Sequence, residues 1–421
     1  MAKKDKEDGS EKVADLDINQ LGKMLIREMN KGDDKIAWNL ASDEDNPTDV
    51  KEFISFGSLL LDYITTNRPG GGAPVGKITE IIGEEASGKS LVIAHLIAEC
   101  QKRGGLAVLM DTENAFNPLF ATSVGVNVKA LVYSQPRTCE EVGETIERTI
   151  TLARTKAPNA LVLIAWDSIA NTPTKAEVEG SYETKMDLQL EKSKVLSKMM
   201  RKLVDVIGKQ RICVVFTNQL KTKIGVMYGD PMTTPGGKAV PYAASLRIRL
   251  NRGAQLQEGK KNEEGADDSD SKEAKGKAPV YGIHTSAKIV KNRLGPPLRK
   301  CEFDITFASG IDDEQSWLAY LHSRGRVERA DGWYYYTSFP SGKMRSVPDK
   351  KDPKKMIEYD RGLQFREKEW KEALATKPGF REHVRKELDE LLVVKYGERP
   401  ADFEADEESL LDVEGAIGAL T

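Results

Sequence analysis

Eight consecutive residues, Gly83 to Ser90, combine glycine, lysine and hydroxyl groups at a spacing that suits phosphate chemistry. They read Gly-Glu-Glu-Ala-Ser-Gly-Lys-Ser, a pattern in which glycines let backbone N–H groups point inward at an anion. The Lys89 ammonium would meet the β- and γ-phosphates of a nucleotide, and the Ser90 hydroxyl would ligate Mg²⁺. The pattern predicts a nucleoside triphosphate site whose candidate ligands are Gly83, Glu84, Glu85, Ala86, Ser87, Gly88, Lys89 and Ser90.

The elements on either side of this loop are those that a phosphate site requires. Lys77 to Ile82 is predicted as a short buried strand, and Leu91 to Arg103 as a helix that ends at Gly104-Gly105. The loop would then lie at the N-terminus of a helix, where the helix dipole favours an anion. The alternative is a glycine-rich turn that opens an ordinary helix, and the flanking strand and helix weigh against it.

Three apolar stretches further along the chain each end in polar residues. Strands are predicted for Leu106 to Met110, Leu161 to Trp166 and Ile212 to Thr217, and helices for Thr138 to Lys156 and Asp187 to Gly208. Continuous apolar strands that alternate with helices indicate a mostly parallel central sheet with both faces covered. The fold class is therefore α/β, and the ligand is expected where the carboxyl ends of the strands meet.

The polar residues after these strands are candidate catalytic groups. Asp167 follows the second strand and would hold Mg²⁺ directly or through water. Glu113, after the first strand, could orient and deprotonate the attacking water, and Gln219, after the third, could sense the γ-phosphate. The alternative for each is a polar strand end that merely faces solvent, but three such residues beside one phosphate loop favour a common site.

The stretch between Thr217 and Ala243 is too rich in glycine and proline to be regular, and it mixes lysines with apolar groups. Cations and main-chain amides suit the backbone of a single-stranded nucleic acid, and apolar or aromatic groups suit its bases. The alternative is a mobile surface loop. A second segment, Glu177 to Asp187, carries a weaker signal of the same kind. The candidate DNA-binding residues are Lys221, Lys223, Ile224, Gly225, Val226, Met227, Tyr228, Gly236 and Gly237.

The composition is that of a globular protein with polar appendages. The 421 residues are 39% apolar and 31% charged with a net charge of -3, so nucleic-acid binding must come from local patches rather than a global basic field. The length predicts roughly two to three domains. Scattered cysteines and histidines predict small core thiols in a reducing compartment and no structural metal site. The polar N-terminus and the lack of a membrane-length apolar run predict a cytosolic protein.

The N-terminal residues, 1–49, are predicted to contain a charged start, one amphipathic helix and a linker. The helix covers Ile18 to Met29 with Asp17 as its N-cap, and its apolar residues fall on one face. That stripe would pack on the core of its own chain or on a neighbouring subunit, and the pattern leaves both readings open.

The rest of the chain divides by composition. Residues 50–312 are predicted to form the core, interrupted at 254–279 by a flexible low-complexity insertion. A smaller α/β domain is expected over 313–398, and 399–421 form an acidic tail.

Four stretches carry a resemblance to a known family: the phosphate loop, Met-Asp-Thr-Glu-Asn-Ala-Phe-Asn-Pro, Tyr-Ser-Gln-Pro and above all Asn-Gln-Leu-Lys-Thr-Lys-Ile-Gly-Val-Met-Tyr-Gly-Asp-Pro. In these stretches the chain resembles the RecA-type homologous recombinases of bacteria and bacteriophages, and the match runs from about residue 33 to 340. Ring helicases that share the ATPase core lack the last stretch. The resemblance implies a RecA-type P-loop core that hydrolyses ATP with Mg²⁺ and forms helical filaments on single-stranded DNA. It also implies strand exchange with homologous double-stranded DNA, a DNA-damage (SOS) context, and single-strand-binding and loader proteins as partners.

The resemblance also assigns roles to individual residues. Lys291 and Arg293 match a cation pair that reaches the ATP site of a neighbouring subunit, and Gln219 matches the residue that couples the γ-phosphate to the DNA-binding segment. Phe120 matches an aromatic that stacks on adenine, and Tyr242 an interface aromatic. The N-terminal helix would pack on an adjacent subunit. Lys89 and Ser90 match the residues that bind phosphates and Mg²⁺. Glu113 matches the catalytic carboxylate, and Asp167 matches the Walker-B acid.

The chain departs from the family pattern at several points. Ser90 replaces the usual threonine, Asn117 stands where an aspartate contacts adenine, and Arg293 replaces a lysine, which keeps the charge but not the geometry. The insertion and the C-terminal domain indicate a phage or divergent member and weigh against repressor cleavage. Two other functions stay open: a hexameric helicase on the same core, and a DNA-binding mediator without turnover.

Overall fold

The structure is a computed structural model that describes residues 17–32, 35–40, 42–43, 48–180, 187–208, 210–222, 232–257, 279–348 and 356–395. The charged start, most of the predicted insertion, the acidic tail and part of the candidate DNA-binding segment lie outside the described residues.

The α-helices of the described part are α1 Ile18–Met29, α2 Leu59–Thr66, α3 Lys89–Lys102, α4 Pro118–Ser123, α5 Cys139–Lys156, α6 Lys175–Glu179, α7 Asp187–Ile207, α8 Ala239–Ala243, α9 Asp313–Ser323, α10 Trp370–Thr376 and α11 Phe380–Leu392. The β-strands are β1 Phe53–Ile54, β2 Ala73–Pro74, β3 Ile78–Gly83, β4 Leu106–Asp111, β5 Leu131–Ser134, β6 Val162–Asp167, β7 Ile212–Gln219, β8 Lys221–Thr222, β9 Met232–Thr233, β10 Leu246–Gln257, β11 Val280–Asn292, β12 Lys300–Thr306, β13 Gly310–Asp312, β14 Val327–Ala330, β15 Trp333–Tyr336, β16 Met344–Pro348, β17 Met356–Asp360 and β18 Leu363–Phe365.

The chain divides into two units, residues 1–51 and residues 52–421. In the first unit, α1 has the predicted bounds, and the Asp17 side chain accepts a hydrogen bond from the Asn19 amide, as expected of an N-cap. The helix ends at Asn30, whose side chain holds the backbone of Ile36 and Ala37. None of the helix residues is buried. The surface that covers the apolar stripe therefore stays a prediction.

The second unit is built on a nine-stranded sheet with the order β13-β12-β11-β10-β3-β7-β6-β4-β5. The six strands from β10 to β5 are parallel, and β11, β12 and β13 extend the sheet in antiparallel fashion. The strand with the phosphate loop, β3, lies near the centre, between β7 and β10. The predicted α/β class with a mostly parallel sheet is confirmed.

Alternate side chains of the parallel strands enter two separate apolar layers. On β6, Leu163 and Ala165 belong to one layer, and Val162, Ile164 and Trp166 to the other. The first layer contains α3, and the second contains α5 and α7. This alternation follows from the twofold repeat of a strand, and it explains why the strands read as continuous apolar runs.

The C-terminal part of the second unit has a three-stranded sheet, β14-β15-β18, a hairpin of β16 and β17, and three helices. Tyr336 is its centre, because its ring stacks on Trp370 at 6.4 Å and meets the edge of Phe380 at 5.1 Å. The Tyr336 hydroxyl donates to Glu387 at 2.7 Å. These aromatic residues belong to the same apolar layer as α3, so this layer is continuous from the sheet into the C-terminal helices.

All four cysteines are buried and free. Burial raises the pKa of the Cys100 thiol to about 11 and that of Cys139 to about 12, so both are inert core groups at neutral pH. In the part of the chain that the structure describes, no helix is long and apolar enough to cross a membrane.

Candidate nucleotide site and nucleic-acid interface

The phosphate loop connects β3 to α3, and its two glycines are required for different reasons. Gly88 has a φ of +95°, a conformation that side chains disfavour, and a Cβ there would lie 2.6 Å from Ile305 Cδ1. Gly83 has no such φ, but a Cβ would lie 2.5 Å from Ser87 Oγ and 2.6 Å from the Leu250 carbonyl oxygen. The prediction that both glycines serve the turn is therefore refined: Gly83 permits close packing at the end of the strand.

The Lys89 side chain lies along the loop, and the residue is 8% exposed. Its Nζ donates to the carbonyl oxygens of Gly83 at 3.1 Å and Glu84 at 2.6 Å. Burial lowers the pKa of Lys89, and the nearby carboxylates of Asp167 and Glu113 oppose that shift. Among the described residues Lys89 forms no ion pair, so its charge is available to an anion above the loop.

Asp167 ends β6 and is 8% exposed. Burial raises the pKa of its carboxyl, while hydrogen bonds from the Ser90 and Thr217 hydroxyls act in the opposite direction. A carboxylate next to a serine hydroxyl is the donor set that Mg²⁺ uses when the remaining ligands are phosphates and water. The two predicted metal ligands, Ser90 and Asp167, thus fit Mg²⁺. Within the described residues no group of three or more His, Cys, Asp or Glu side chains could hold a metal by itself.

Glu113 lies two residues beyond the end of β4, which is the neighbour of β6 in the sheet. Asp111 and Asp167 are directly opposite in the parallel register. The Ser168 hydroxyl donates to Glu113 Oε1, and the backbone amide of Glu113 donates to Asp111 Oδ1 at 3.0 Å. The structure therefore brings Glu113 to the same edge of the sheet as Asp167 and Lys89, where an attacking water would need its base.

Two residues that position Glu113 were missed by sequence reasoning. The carboxyl of Asp111 accepts hydrogen bonds from Glu113 N, from Phe116 N at 3.0 Å and from the Tyr133 hydroxyl at 2.9 Å. Asp111 is 1% exposed. The only signals in the sequence were the Asp-Thr-Glu run itself and the tyrosine of Tyr-Ser-Gln-Pro. The strand that carries this tyrosine, β5, was not predicted, because it lies at the edge of the sheet and its two central residues are exposed.

Gln219 is the last residue of β7, two residues later than the predicted strand end. It is paired with Gly83 in the parallel register, and the Leu220 amide donates to the Gly83 carbonyl at 3.2 Å. The chain therefore leaves the sheet for the candidate DNA-binding segment directly beside the first residue of the phosphate loop.

The candidate DNA-binding segment is more regular at its base than its composition predicted. Lys221 and Thr222 form β8, which pairs antiparallel with Thr233 and Met232 of β9. The expectation that the whole stretch is irregular is wrong at this point, because a ladder of two residues closes the segment and satisfies its backbone groups. Six of the candidates, Lys223, Ile224, Gly225, Val226, Met227 and Tyr228, lie outside the described residues.

The described candidates lie at the two ends of the segment. Lys221 is exposed, and Gly236 and Gly237 have φ values of +93° and +73°. A Cβ at Gly236 would lie 2.5 Å from the Leu196 side chain, and one at Gly237 2.7 Å from Ser193 Oγ. Both glycines therefore let the chain return closely along α7 before α8 begins.

The cation pair Lys291 and Arg293 lies where β11 ends. Lys291 Nζ donates to the carbonyl oxygens of Pro241 at 2.7 Å and Tyr242 at 3.0 Å, and Arg293 contacts the Tyr242 oxygen at 3.4 Å. Burial, with Arg293 and Arg247 nearby, lowers the pKa of Lys291 to about 8. Within the described part these two side chains contact α8 and make no hydrogen bond to the phosphate loop of their own chain.

The candidate adenine contacts lie at α4. Asn117 is the N-cap, and its Oδ1 accepts from the amides of Leu119 at 3.0 Å and Phe120 at 3.2 Å. The Phe120 ring is partly buried against the apolar layer. Tyr242, the candidate interface aromatic, is 66% exposed.

Comparison with known proteins decides which family the chain belongs to. A family model described as the RecA N-terminal domain matches residues 24–312, which is more than half of the chain. The chain belongs to the RecA family. A RecA-type function in recombination and repair follows at that general level.

Proteins named Protein RecA from three bacteria illustrate the extent of this RecA-family similarity. The one from Ruminococcus albus is 38% identical over 294 residues, 70% of this chain and 67% of the relative. The one from Trichodesmium erythraeum is 37% identical over 299 residues, 70% and 74% of the two chains. The one from Chlorobaculum tepidum is 34% identical over 345 residues, 82% and 86%.

Proposed function

We propose that the chain is a DNA-dependent ATPase that forms helical filaments on single-stranded DNA and exchanges strands with a homologous duplex. The observation that carries this proposal is the position of Gln219. It is paired with Gly83 at the start of the phosphate loop and is followed at once by the segment closed by β8 and β9. A γ-phosphate above Lys89 and a polynucleotide on that segment would therefore act on adjacent residues.

In this proposal the hydrolytic chemistry takes place at the carboxyl edge of β4 and β6. Lys89 and the backbone of the loop bind the β- and γ-phosphates of ATP, and Glu113 orients and deprotonates the attacking water. Ser90 and Asp167 hold Mg²⁺, which when bound neutralises phosphate charge. Asp111 keeps Glu113 in place through the backbone amide.

Lys291 and Arg293 are proposed to stabilise the transition-state charge of a nucleotide bound by a neighbouring subunit, as arginine fingers do. The support is that neither side chain makes a hydrogen bond to the phosphate loop of its own chain within the described part. The exposed stripe of α1 is proposed to pack on an adjacent subunit, a contact that propagates into a helix because it is not self-complementary. Phe120 would stack on the adenine, and the amide nitrogen of Asn117 would face the base, since its oxygen caps α4.

The DNA contacts are proposed to come from the segment that follows Gln219. Lys221, Gly236 and Gly237 would contribute from its described ends, and Lys223 to Tyr228 from the part outside the described residues. The division into a core over 50–312, a C-terminal domain over 313–398 and an acidic tail is likewise part of the proposal, as are single-strand-binding and loader proteins as partners.

The test is ATP hydrolysis with and without single-stranded DNA, followed by a strand-exchange assay with homologous substrates and negative-stain imaging. We expect hydrolysis stimulated by DNA, exchange that requires ATP, and open filaments. Closed rings on DNA with no filaments would instead support a helicase. DNA binding with no stimulated hydrolysis would support a mediator, and either result would overturn the proposal.

A further inference from the structure

Glu80 is a charged side chain in the centre of the sheet. It lies on β3 with an exposure of 0%, opposite Arg247 of β10 on one side and Phe216 of β7 on the other. A carboxylate in such a place carries a large desolvation penalty, and a well-packed apolar residue there is often at least as stabilising. Stability alone therefore gives no reason for an acid at this position.

Both oxygens of Glu80 are engaged, each with a different strand. Oε2 accepts from Arg247 Nε at 2.6 Å, and Oε1 accepts from Asn218 Nδ2 at 3.1 Å. A carboxylate can only accept, so the amide nitrogen of Asn218 must face Glu80. The same nitrogen also donates to the Pro235 carbonyl at 3.1 Å, and Asn218 Oδ1 accepts from the Gln219 amide at 3.1 Å. Glu80 therefore fixes both ends of the segment between Gln219 and Pro235.

The stretch from Pro235 to Tyr242 is held by side chains at its two ends. Pro235 is held by Asn218, and the Pro241 and Tyr242 carbonyls are held by Lys291. Arg247 is directly opposite Lys291 in the antiparallel register of β10 and β11. Glu80 thus contacts one end through Asn218. It also holds Arg247, which lies opposite the lysine that holds the other end.

We propose that Glu80 is a positioning residue that couples a nucleotide at the subunit interface to the DNA-binding segment. One oxygen fixes Asn218, Gln219 and Pro235, and the other fixes Arg247 beside Lys291. This inference rests on the proposed function, in which Lys291 and Arg293 meet a neighbour's triphosphate. When Lys291 and Arg293 turn to that triphosphate, the carbonyls of α8 lose the hydrogen bonds that these two side chains donate. Pro235 stays bonded to Asn218, so α8 and the glycines before it rotate about Pro235.

Glu80→Gln in the full chain tests the proposal. The glutamine carbonyl oxygen can accept a hydrogen bond from Arg247 or from Asn218. The glutamine NH₂ group then faces an N–H donor of the other residue, and that hydrogen bond is lost. Two ratios are measured. The first is the rate of ATP turnover with single-stranded DNA divided by the rate without it. The second is the DNA affinity in the presence of a slowly hydrolysed ATP analogue divided by the affinity in the presence of ADP. Both ratios are expected to fall about tenfold, within the usual range of coupling between sites, while nucleotide affinity changes by less than about twofold. Thr79→Val is the matched control, because this neighbour on β3 is equally buried and its hydroxyl has no hydrogen-bond partner in the described structure.

Hydrogen exchange of peptides from 235–243 adds a measurement that does not depend on turnover. In the wild type the ATP analogue should change exchange there, and in Glu80→Gln it should not. If Glu80→Gln does not fold, Arg247→Lys, which keeps the charge but moves the donor, is expected to lower the same two ratios. Ratios or exchange changes equal to those of the wild type would overturn this inference alone. A wild-type chain with no DNA-stimulated hydrolysis would overturn the proposed function and this inference with it.

Discussion

Two charged clusters lie in the same part of the molecule, one around Glu80 on β3 and one around the phosphate loop and the end of β6. They differ in whether their charges are paired. Around Glu80 the charges neutralise each other: a guanidinium and an amide meet the carboxylate. Around the phosphate loop they do not, since Lys89 contacts carbonyl oxygens and Asp167 contacts hydroxyl groups. Glu80, Lys89 and Asp167 are all buried.

This difference in charge pairing suits the two clusters to different roles: the one at the phosphate loop to binding a charged ligand, and the one around Glu80 to positioning its neighbours. Lys89 and Asp167 are held by neutral partners, which costs stability but leaves their charges for phosphate and metal. Glu80 has no charge left to offer a ligand, so what it contributes is the position of its partners. Burial alone would not have distinguished the two clusters; the partners do.

The change with the largest expected effect removes the Lys89 cation, which forms no ion pair among the described residues. Lys89→Ala should lower DNA-stimulated phosphate release by roughly 10³–10⁵-fold, because no other cation on the loop can meet the γ-phosphate. Lys102→Ala is the matched control: it lies on the same helix with a 61% exposed side chain that pairs with Glu99. Wild-type turnover in Lys89→Ala would show that the loop is not the phosphate site.

The second change removes the proposed base and keeps its shape. Glu113→Gln should slow turnover by about 10²–10⁴-fold, while ATP binding and filament formation in electron micrographs stay intact. Glu144→Gln, on the exposed face of α5 and paired with Arg148, should turn over like the wild type. An unchanged rate in Glu113→Gln would mean that another group activates the water.

The contrast between the clusters also predicts opposite effects on stability. Because burial raises the pKa of Asp167, its ionised form is disfavoured in the folded chain, and Asp167→Asn should stabilise by roughly 0.5–2 kcal/mol at pH 7. The gain should fade as the pH falls towards about 4, where an aspartate in the unfolded chain is protonated too. Glu80→Gln should instead destabilise by about 1–3 kcal/mol. Thermal unfolding without nucleotide at pH 7 and pH 4 measures both, and equal signs at pH 7 would contradict the contrast.

The cation pair of Lys291 and Arg293 predicts that DNA-stimulated ATP turnover depends on pH. The pKa of Lys291 is lowered to about 8, so its charge is present below that pH and is lost above it. At ATP concentrations well below KM, DNA-stimulated turnover of the wild type should fall about 15-fold between pH 8 and 9.5, in proportion to the protonated fraction of Lys291 in the free enzyme. Lys291→Arg keeps its charge over this range and should remove the fall. A wild-type profile that stays flat to pH 9.5 would exclude Lys291 as the charge that matters.

The smallest expected effect concerns the insertion, which belongs to neither cluster. Gln257 at the end of β10 and Val280 at the start of β11 are paired, so a short turn could join them. Deleting residues 259–276 should leave strand exchange within about twofold of the wild type, because a loop of this length contributes little closure entropy. A deletion that abolishes exchange in a folded chain would assign the insertion a role of its own.

Much of the fold and of the nucleotide site could be predicted from local sequence. The phosphate loop, the strand before it and the helix after it are contiguous, so residue order fixes their geometry. Glu113, Asp167 and Gln219 were found because the ends of parallel strands meet at one edge. β5 was missed because its edge position leaves its side chains exposed, and the ladder of β8 and β9 was missed because strands of two residues carry no periodicity.

The sequence by itself determined which residues are candidates to bind a triphosphate and which strands bring them together, since these depend on short patterns and on alternation along each strand. Only the tertiary structure decided which charges are paired. Glu80 meets partners 138 and 167 residues away, and the Tyr133 hydroxyl reaches Asp111 from a different strand. Such pairs depend on which strands become neighbours and in what register, and no local pattern in the chain records that choice.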